Sequence, residues 1–174
     1  FSTGICERFS FYTMRAMLFL FLTAAFATGG FGMDRGEAMS IYGIYLGLVY
    51  VTPIIGGILA DKWLGQKICT YVGALLMAVG QLSLAISAMF YAQEAFSPEV
   101  MALKKYLLYA GLGLLIMGNG FFKPNVTAMV GSVYPENDAR RDVGFTIFYM
   151  GINIGAFIAP FASVFLWEQI GWKY

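Results

Sequence analysis

The chain has 174 residues, of which 59% are hydrophobic and 12% are charged, and its mean hydropathy is +0.70. Soluble domains carry about 25% charged residues, so this composition excludes an ordinary soluble domain and indicates an integral membrane protein. The net charge of +1 provides no basic patch for nucleic acid, and the absence of histidine excludes histidine-based metal sites and proton relays within this sequence.

The apolar stretches predict an all-α membrane protein with five transmembrane helices. A spanning helix needs about 20 apolar residues, and four uncharged stretches approach or exceed that length. The remaining stretch is short, but it continues past the single charge of Lys123. The expected helices, joined by short connections, lie roughly at 3–28, 38–61, 68–92, 105–133 and 142–168.

The first predicted helix carries three charges, Glu7, Arg8 and Arg15. One interpretation places Glu7 and Arg8 at the membrane interface and starts the span near residue 16. The uncharged segment 16–27 would then be about 18 Å long at 1.5 Å per residue, too short for a hydrocarbon core of about 30 Å. The charged segment is therefore expected to lie within the span, where each charge is costly.

Helical spacing places these polar residues on one face of the first helix. Arg8, Tyr12 and Arg15 follow one another at i, i+4 and i+7, and Glu7 borders the same face. A polar stripe on an otherwise apolar helix is expected to line a cavity or a bundle interior rather than to face lipid.

The second helix and the connections give weaker signals. Tyr42, Tyr45 and Tyr50 lie along the second helix, and the patterns GIYLG (43–47) and GINIG (151–155) favour close helix packing. The positive-inside rule does not orient the bundle, because four cations fall on each side. The loops after the second and fourth helices contribute Lys62, Lys67, Arg140 and Arg141, and the other side contributes Arg35, Lys104, Lys105 and Lys173.

Lys123 lies well inside the fourth predicted helix, immediately before Pro124. The lysine could snorkel to an interface, but uncharged sequence extends on both sides, which favours a buried role with an acidic partner. Glu7 is the best candidate for that partner. Pro124 removes a backbone donor, so a kink is expected there. Asn153 lies midway along the fifth helix, where its amide either bonds another helix or serves a ligand.

Together these residues predict a helical bundle with a cavity that contains two or three cations, one carboxylate, tyrosine hydroxyls and an amide. Cations with additional donors suit a carboxylate-bearing substrate. The sequence has no HExxH motif, no paired aspartates, and no serine or cysteine near a base, so we expect no enzyme activity, no cofactor and no metal.

Four segments resemble signatures of the proton-dependent oligopeptide transporters, a family of the major facilitator superfamily. ERFSFYTMRA (7–16) resembles the first-helix motif ExxERFxYY, and GGILADKWLGQK (56–67) resembles the superfamily's loop between the second and third helices. GNGFFKPNV (118–126) and FYMGINIGAF (148–157) resemble the signatures of the fourth and fifth helices. The four segments occur in the order that the family has.

The resemblance implies the major facilitator superfamily fold, with twelve core helices in two six-helix halves and alternating access. Residues 1–174 would form the N-terminal transmembrane bundle up to the fifth helix, with the C-terminal half outside this sequence. The odd number of helices and the start at Phe1 also lead us to expect a fragment. The family mostly imports di- and tripeptides with protons, so the expected partners are small peptides, protons and the lipid bilayer. We expect a monomer, once full length, in the plasma (inner) membrane.

Residue by residue, Arg8, Tyr12 and Lys123 match positions that bind the peptide carboxylate, and Asn153 matches a position that binds the peptide amino group. The resemblance also assigns Arg15 and Tyr50 to cavity-lining positions. It assigns Glu7 to the motif's second glutamate, which pairs with the first-helix arginine and the fourth-helix lysine. Four residues match the cytoplasmic loop motif: Gly57, Asp61, Gly65 and Lys67.

The first-helix motif departs from the family pattern at two places. Gly4 stands where the motif has its first glutamate, which the family ties to proton coupling, and Phe11 replaces the first tyrosine. The leading hypothesis is a proton-coupled peptide symporter with Glu7 as the titrating group. The alternative is a passive or differently coupled carrier of peptides or other carboxylate-bearing solutes. A third hypothesis is a receptor or scaffold that does not transport.

Overall fold

The computed structural model describes residues 2–90, 97–135, 138 and 140–170, and the regular structure in these ranges is helical. Four helices are long and apolar enough to cross a membrane, namely α2 with its C-terminal extension, α3, α4 and α5. The first helix differs because every 18-residue window of it contains three charges. The helices are α1 (Ser2–Thr23), α2 (Arg35–Leu59), α3 (Gln66–Met89), α4 (Pro98–Ser132) and α5 (Arg140–Ile170).

Helix α1 ends at Thr23, so the predicted end at 28 is wrong. The chain turns at residues 24–34 through a short 3-10 helix, Phe26–Thr28. Gly29 and Gly32 then adopt positive φ angles of 96° and 58°, which favour glycine. The 22 residues of α1 span about 33 Å, so the charged segment forms part of the helix.

The predicted loop at 62–67 is almost entirely helical. Helix α2 begins at Arg35 rather than 38, since the Asp34 side chain accepts a hydrogen bond from the Gly36 amide at 2.8 Å. Its end passes directly into a π-helical turn, Ala60–Leu64. Gly65, with a φ of 77°, is the one residue between this turn and α3. A single residue with a positive φ therefore separates the two helical segments.

Helix α4 begins at Pro98, seven residues before the predicted start. The Ser97 hydroxyl accepts a hydrogen bond from the Val100 amide at 3.2 Å, and Pro98 occupies the first turn, where its missing N–H costs nothing. The predicted end of α3 at 92 lies outside the described residues; the described helix ends at Met89. Helix α5 begins at Arg140, two residues earlier than expected.

Pro124 does not interrupt α4, which continues to Ser132. Because proline has no N–H, the carbonyl of Gly120 loses its helical donor. That carbonyl oxygen lies against Gly56 of α2, where any Cβ would collide with it. The carbonyl that lacks its helical donor therefore lies at a close contact between α2 and α4.

Helix α4 packs against α3 and α2, and α1 packs against α5. Gly155 confirms the packing predicted from GINIG, since a Cβ there would lie 2.6 Å from the Ile5 carbonyl oxygen of α1. GIYLG makes no such close contact within the described residues, because a Cβ at Gly43 or Gly47 would meet no atom of another helix within 4 Å. The central core contains side chains from α1, α2, α4 and the 24–34 connection, including Leu18, Leu22, Phe31, Tyr45, Val49, Leu108, Leu112 and Leu115.

Lys104 is fully buried in the second turn of α4 rather than lying in a loop. Its ammonium donates hydrogen bonds to the carbonyls of Gly29, Gly30 and Phe90 at 2.9, 2.7 and 2.8 Å. The ring centroid of Phe31 lies 4.8 Å from the same nitrogen. One lysine thus ties the α1–α2 connection to the C-terminal end of α3.

Lys104→Met should destabilise the protein, because two buried carbonyls and one partly buried carbonyl would lose their donor at once. Unsatisfied buried carbonyls cost about 1–3 kcal/mol each, and removal of a buried ammonium recovers part of that cost, so we expect a net loss of roughly 2 kcal/mol. Thermal unfolding in detergent measures the effect. Lys105→Met is the matched control, since Lys105 is exposed on the next position of α4. Equal unfolding temperatures for the two variants would contradict the assignment.

Gly65→Ala should cost about 1–2 kcal/mol, because a Cβ is strained at a positive φ even where space is open. No atom lies within 4 Å of that Cβ, so the expected loss comes from the backbone alone. Gly43→Ala is the control: its Cβ also meets nothing, but the residue is helical, so alanine should be neutral or stabilising. Urea unfolding of both variants compares them, and an unchanged Gly65→Ala protein would refute the argument.

Candidate functional site

A cavity of about 240 Å³ lies between α1, α4 and α5. It brings together three of the charged residues predicted from the sequence, Glu7, Arg8 and Lys123. A second cavity of about 320 Å³ lies on the other side of Glu7, among α1, α2, α3 and α4. Glu7 lines both cavities, so its carboxylate forms part of the wall between them.

Glu7 forms its ion pair with the next residue in the chain. The Nε atom of Arg8 lies 2.6 Å from Oε2 of Glu7, and the two side chains are only 9% and 6% exposed. This Nε makes no hydrogen bond, so the contact is electrostatic rather than a well-aligned N–H···O bond. The Arg8 guanidinium also lies 5.6 Å from the ring centroid of Phe11. The expected partnership of Glu7 with Arg8 is thus present in the structure.

Lys123 lies on the same cavity as Glu7 and Arg8, but the ion pair of Glu7 is with Arg8. The sequence had favoured Lys123 as the direct partner. The difference arises because Arg8 adjoins Glu7 on α1, whereas Lys123 reaches the cavity from α4 and interacts with both at longer range. The Lys123 ammonium lies 5.3 Å from the ring centroid of Tyr50 on α2. A partly exposed cation therefore remains beside the ion pair.

Arg15 extends the polar stripe of α1 by two turns beyond Arg8. Its guanidinium lies beside Tyr42 of α2 and interacts electrostatically with Tyr12 and Tyr50. Tyr50 thus has Arg15 near it on one side and Lys123 over its ring. Arg15, Tyr12 and Tyr50 line neither of the two cavities beside Glu7, and the Tyr50 ring connects them to that site through Lys123.

Asn153 does not line the cavity that contains Glu7. It is exposed on α5 in a separate open hollow with Thr146 and Tyr149. Tyr149 also lines the 240 Å³ cavity, so this tyrosine lies between the two surfaces. The loop-motif residues Gly57, Asp61, Gly65 and Lys67 lie at the α2–α3 connection and line none of the described cavities.

Gly4 faces the cavity at the position where the resemblance expects a glutamate. A Cβ at this position would lie 3.1 Å from Cε2 of Phe148 on α5, so a side chain requires the ring to shift by a few tenths of an ångström. Phe148 is itself buried, at 7% exposure. Its ring therefore occupies part of the space that a longer side chain at position 4 would need.

Asn119 is a site residue that the sequence reasoning missed. Its Nδ2 donates a hydrogen bond to Oε1 of Glu7 at 3.3 Å, and the residue is 3% exposed. A signal for it existed, since Asn119 is a polar residue one helical turn before Lys123 in an apolar stretch. Gln81 of α3 was also missed; it donates to the Ser10 hydroxyl at 2.9 Å.

The arrangement combines a titratable carboxylate with two nearby cations. Arg8 and Lys123 together carry one positive charge more than Glu7 can neutralise, so the cavity favours an anionic group such as a carboxylate. Protonation of Glu7 would raise that excess to two. No cluster of residues that could hold a metal ion occurs in the part of the chain that the structure describes.

Comparison with known proteins gives a family match. The sequence profile of the POT family matches residues 68–174, which is more than half of the chain. The chain is 42% identical over 174 residues to the peptide transporter YePEPT of Yersinia enterocolitica subsp. palearctica, covering 100% of this chain and 32% of that protein. It is 40% identical over 162 residues to a di-/tripeptide transporter of Lactococcus lactis subsp. lactis, covering 92% and 30%.

Solved structures agree with the sequence comparison. A mutant peptide transporter POT in complex with alafosfalin is 39% identical, with a TM-score of 0.85 over 99% of this chain and 33% of that one. A POT family transporter in complex with a thioalcohol-conjugated peptide is 36% identical, with a TM-score of 0.79 over 98% and 31%. The chain spans about a third of the length of the curated relatives that it matches.

Proposed function

The chain belongs to the POT family, and we propose that it forms the first five transmembrane helices of a transporter that imports di- and tripeptides with protons by alternating access. It is an integral, multi-pass membrane protein with the fold of the family's major facilitator superfamily transporters. Two of its named relatives are a peptide transporter and a di-/tripeptide transporter, not enzymes. The plasma membrane and a monomeric working unit are parts of the same proposal.

The observation that carries this proposal is the Glu7–Arg8 ion pair beside the Lys123 ammonium, in one cavity. Arg8 and Lys123 bind the peptide carboxylate, assisted by the Tyr12 hydroxyl. Burial at this depth makes charge–charge contacts strong because water screens them little. We therefore expect a peptide carboxylate to bind more tightly in this cavity than a neutral solute does.

Other predicted residues have roles at the edge of this cavity. Arg15 and Tyr50 contact the peptide between α1 and α2, where the two side chains interact electrostatically with each other. Asn153 binds the peptide amino group from α5. This role is supported by its position one turn from Tyr149, which reaches the cavity. The motif at the α2–α3 connection lies on the cytoplasmic side.

Proton coupling follows from competition for Arg8. When Glu7 is ionised, its Oε2 lies 2.6 Å from Nε of Arg8, and this ion pair competes with any other anion for Arg8. When Oε2 takes a proton, the carboxyl becomes neutral and Arg8 is released for the peptide carboxylate. Binding of the proton thus favours binding of the peptide, and binding of the peptide favours binding of the proton, which is what a symporter requires.

An alternative within the same family is a passive or differently coupled carrier of peptides or other carboxylate-bearing solutes. Gly4 supports it, because the motif's first glutamate is absent and the ring of Phe148 occupies part of its space. A receptor or scaffold on the same fold is the third candidate, and it requires no function from Lys123.

Uptake of a dipeptide by the full-length protein in liposomes should require an inside-negative, inside-alkaline gradient. Lys123→Ala should lower uptake about 10- to 100-fold, since a hydrogen bond to a charged group contributes about 1.5–3 kcal/mol. Lys105→Ala, outside the cavity on the same helix, should transport normally. Equal uptake without the proton gradient would refute symport, and unaffected uptake in Lys123→Ala would refute the role of Lys123. A wild-type protein that takes up no dipeptide under any gradient would favour the receptor or scaffold.

Gly4→Glu separates the coupled from the passive carrier. If the missing glutamate limits coupling, this variant should acquire or strengthen proton dependence of dipeptide uptake. The Phe148 ring must yield to the new side chain, so the double variant Gly4→Glu with Phe148→Leu is measured beside it, with Phe148→Leu alone as control. Unchanged proton dependence in both glutamate variants would indicate that coupling lies elsewhere.

A further inference from the structure

We propose that Asn119 is a positioning residue that receives the protonated form of Glu7, so that Oε2 exchanges Arg8 for the amide oxygen of Asn119 when it takes a proton. This inference rests on the proposed role of Glu7 as the titrating group. Two observations carry it: the hydrogen bond from Nδ2 to Oε1 at 3.3 Å, and a buried Oδ1 that has no hydrogen-bond partner.

The unpartnered oxygen of Asn119 is the informative atom. The side chain is 3% exposed, and a buried carbonyl oxygen without a donor costs about 1–3 kcal/mol. The donor side of the same amide is already used by Glu7. A carboxylic acid and a primary amide can form two parallel hydrogen bonds, N–H to one acid oxygen and O–H to the amide oxygen. The ionised carboxylate can form only the first.

Packing holds the Asn119 backbone in place on both sides. The preceding residue, Gly118, lies against α3, where a Cβ would be 2.6 Å from Cγ of Met77. The following residue, Gly120, lies against α2, where a Cβ would be 2.8 Å from Cβ of Thr52. The amide therefore projects from a clamped backbone into the 320 Å³ cavity that Glu7 also lines.

Among the described groups around Glu7, Asn119 combines a hydrogen bond to its carboxylate with a buried acceptor that has no partner. Helix α3 presents Gln81, whose Nε2 donates a hydrogen bond to the Ser10 hydroxyl. The titratable and charged groups that face Glu7 from the packed helices are Arg8 and Cys6 of α1, Tyr45 of α2, Lys123 of α4 and Tyr149 of α5. Among these described groups, the charged ones are cations, which can only donate to a carboxyl.

The proposed step moves one proton and no other atoms. A proton from water binds Oε2 of Glu7, the Arg8 contact breaks, and the new O–H donates to Oδ1 of Asn119. Oε1 keeps the hydrogen bond that it accepts from Nδ2. The neutral acid is then held by two hydrogen bonds where the carboxylate had one, and Arg8 is free for an anionic group.

Infrared titration of the full-length protein in lipid tests this step without transport. The carbonyl band of protonated Glu7 is identified by its loss in Glu7→Gln, and its intensity is followed against pH. Asn119→Leu should move the titration midpoint to lower pH by roughly one unit, because the acid loses two hydrogen bonds and the carboxylate loses one. Asn119→Ala should move it in the same direction.

Asn125→Leu is the matched control, since Asn125 is buried on the same helix but donates to the Phe121 carbonyl at 2.6 Å. Its titration midpoint should stay that of the wild type. A midpoint that is unchanged in the Asn119 variants, or that moves to higher pH, would overturn the inference, since the latter is what an amide serving only the carboxylate predicts. Failure of gradient-driven uptake in the wild type would instead refute the proposed symport. The titration would still test whether Asn119 receives the protonated form of Glu7.

Discussion

The constraint on which this structure depends is that a charge inside a membrane helix needs a partner. Glu7 and Arg8 satisfy it within one helix, at 2.6 Å, with both side chains almost fully withdrawn from the surface. This arrangement lets α1 carry three charges in 22 residues and still pack in the bundle. It also determines the polarity of the interior, because the adjacent pair neutralises itself and leaves the Lys123 charge uncompensated. The cavity is positive for that reason.

Close backbone contact places the groups that act on this pair. Helix α4 approaches α2 at Gly56 and α3 at Gly73, and in both places a Cβ would collide with backbone of α4. These contacts bracket the segment that presents Asn119 to Glu7. Since Asn119 precedes Lys123 by one helical turn, the same contacts fix the amide and the ammonium relative to α1. Small residues that carry no chemistry thus control the distances on which the chemistry depends.

The sequence predicts the helices and the polar stripe well, because hydropathy and helical spacing are local properties. It predicts less about pairing, which depends on how helices are arranged. Lys123 is assigned to Glu7 from charge alone, whereas the structure pairs Glu7 with its neighbour Arg8. Likewise, the early start of α4 at Pro98 depends on a Ser97 cap, and hydropathy alone does not register a cap. The oxygen of Asn119 that lacks a donor is visible only in three dimensions.

Lys104 and Lys123 of α4 differ in how much of their hydrogen-bonding capacity the structure uses. Lys104 uses its three donors on three carbonyls and lies against an aromatic ring, so it has no capacity for a ligand. Lys123 lies near the ring of Tyr50 and on an open cavity, and its neighbouring carboxylate is already paired with Arg8. The sequence alone predicts the opposite burial for the two lysines, since it places Lys104 in a loop and Lys123 inside the bundle. In the proposed transporter, unused hydrogen-bonding capacity rather than burial therefore distinguishes the lysine that is assigned to the substrate.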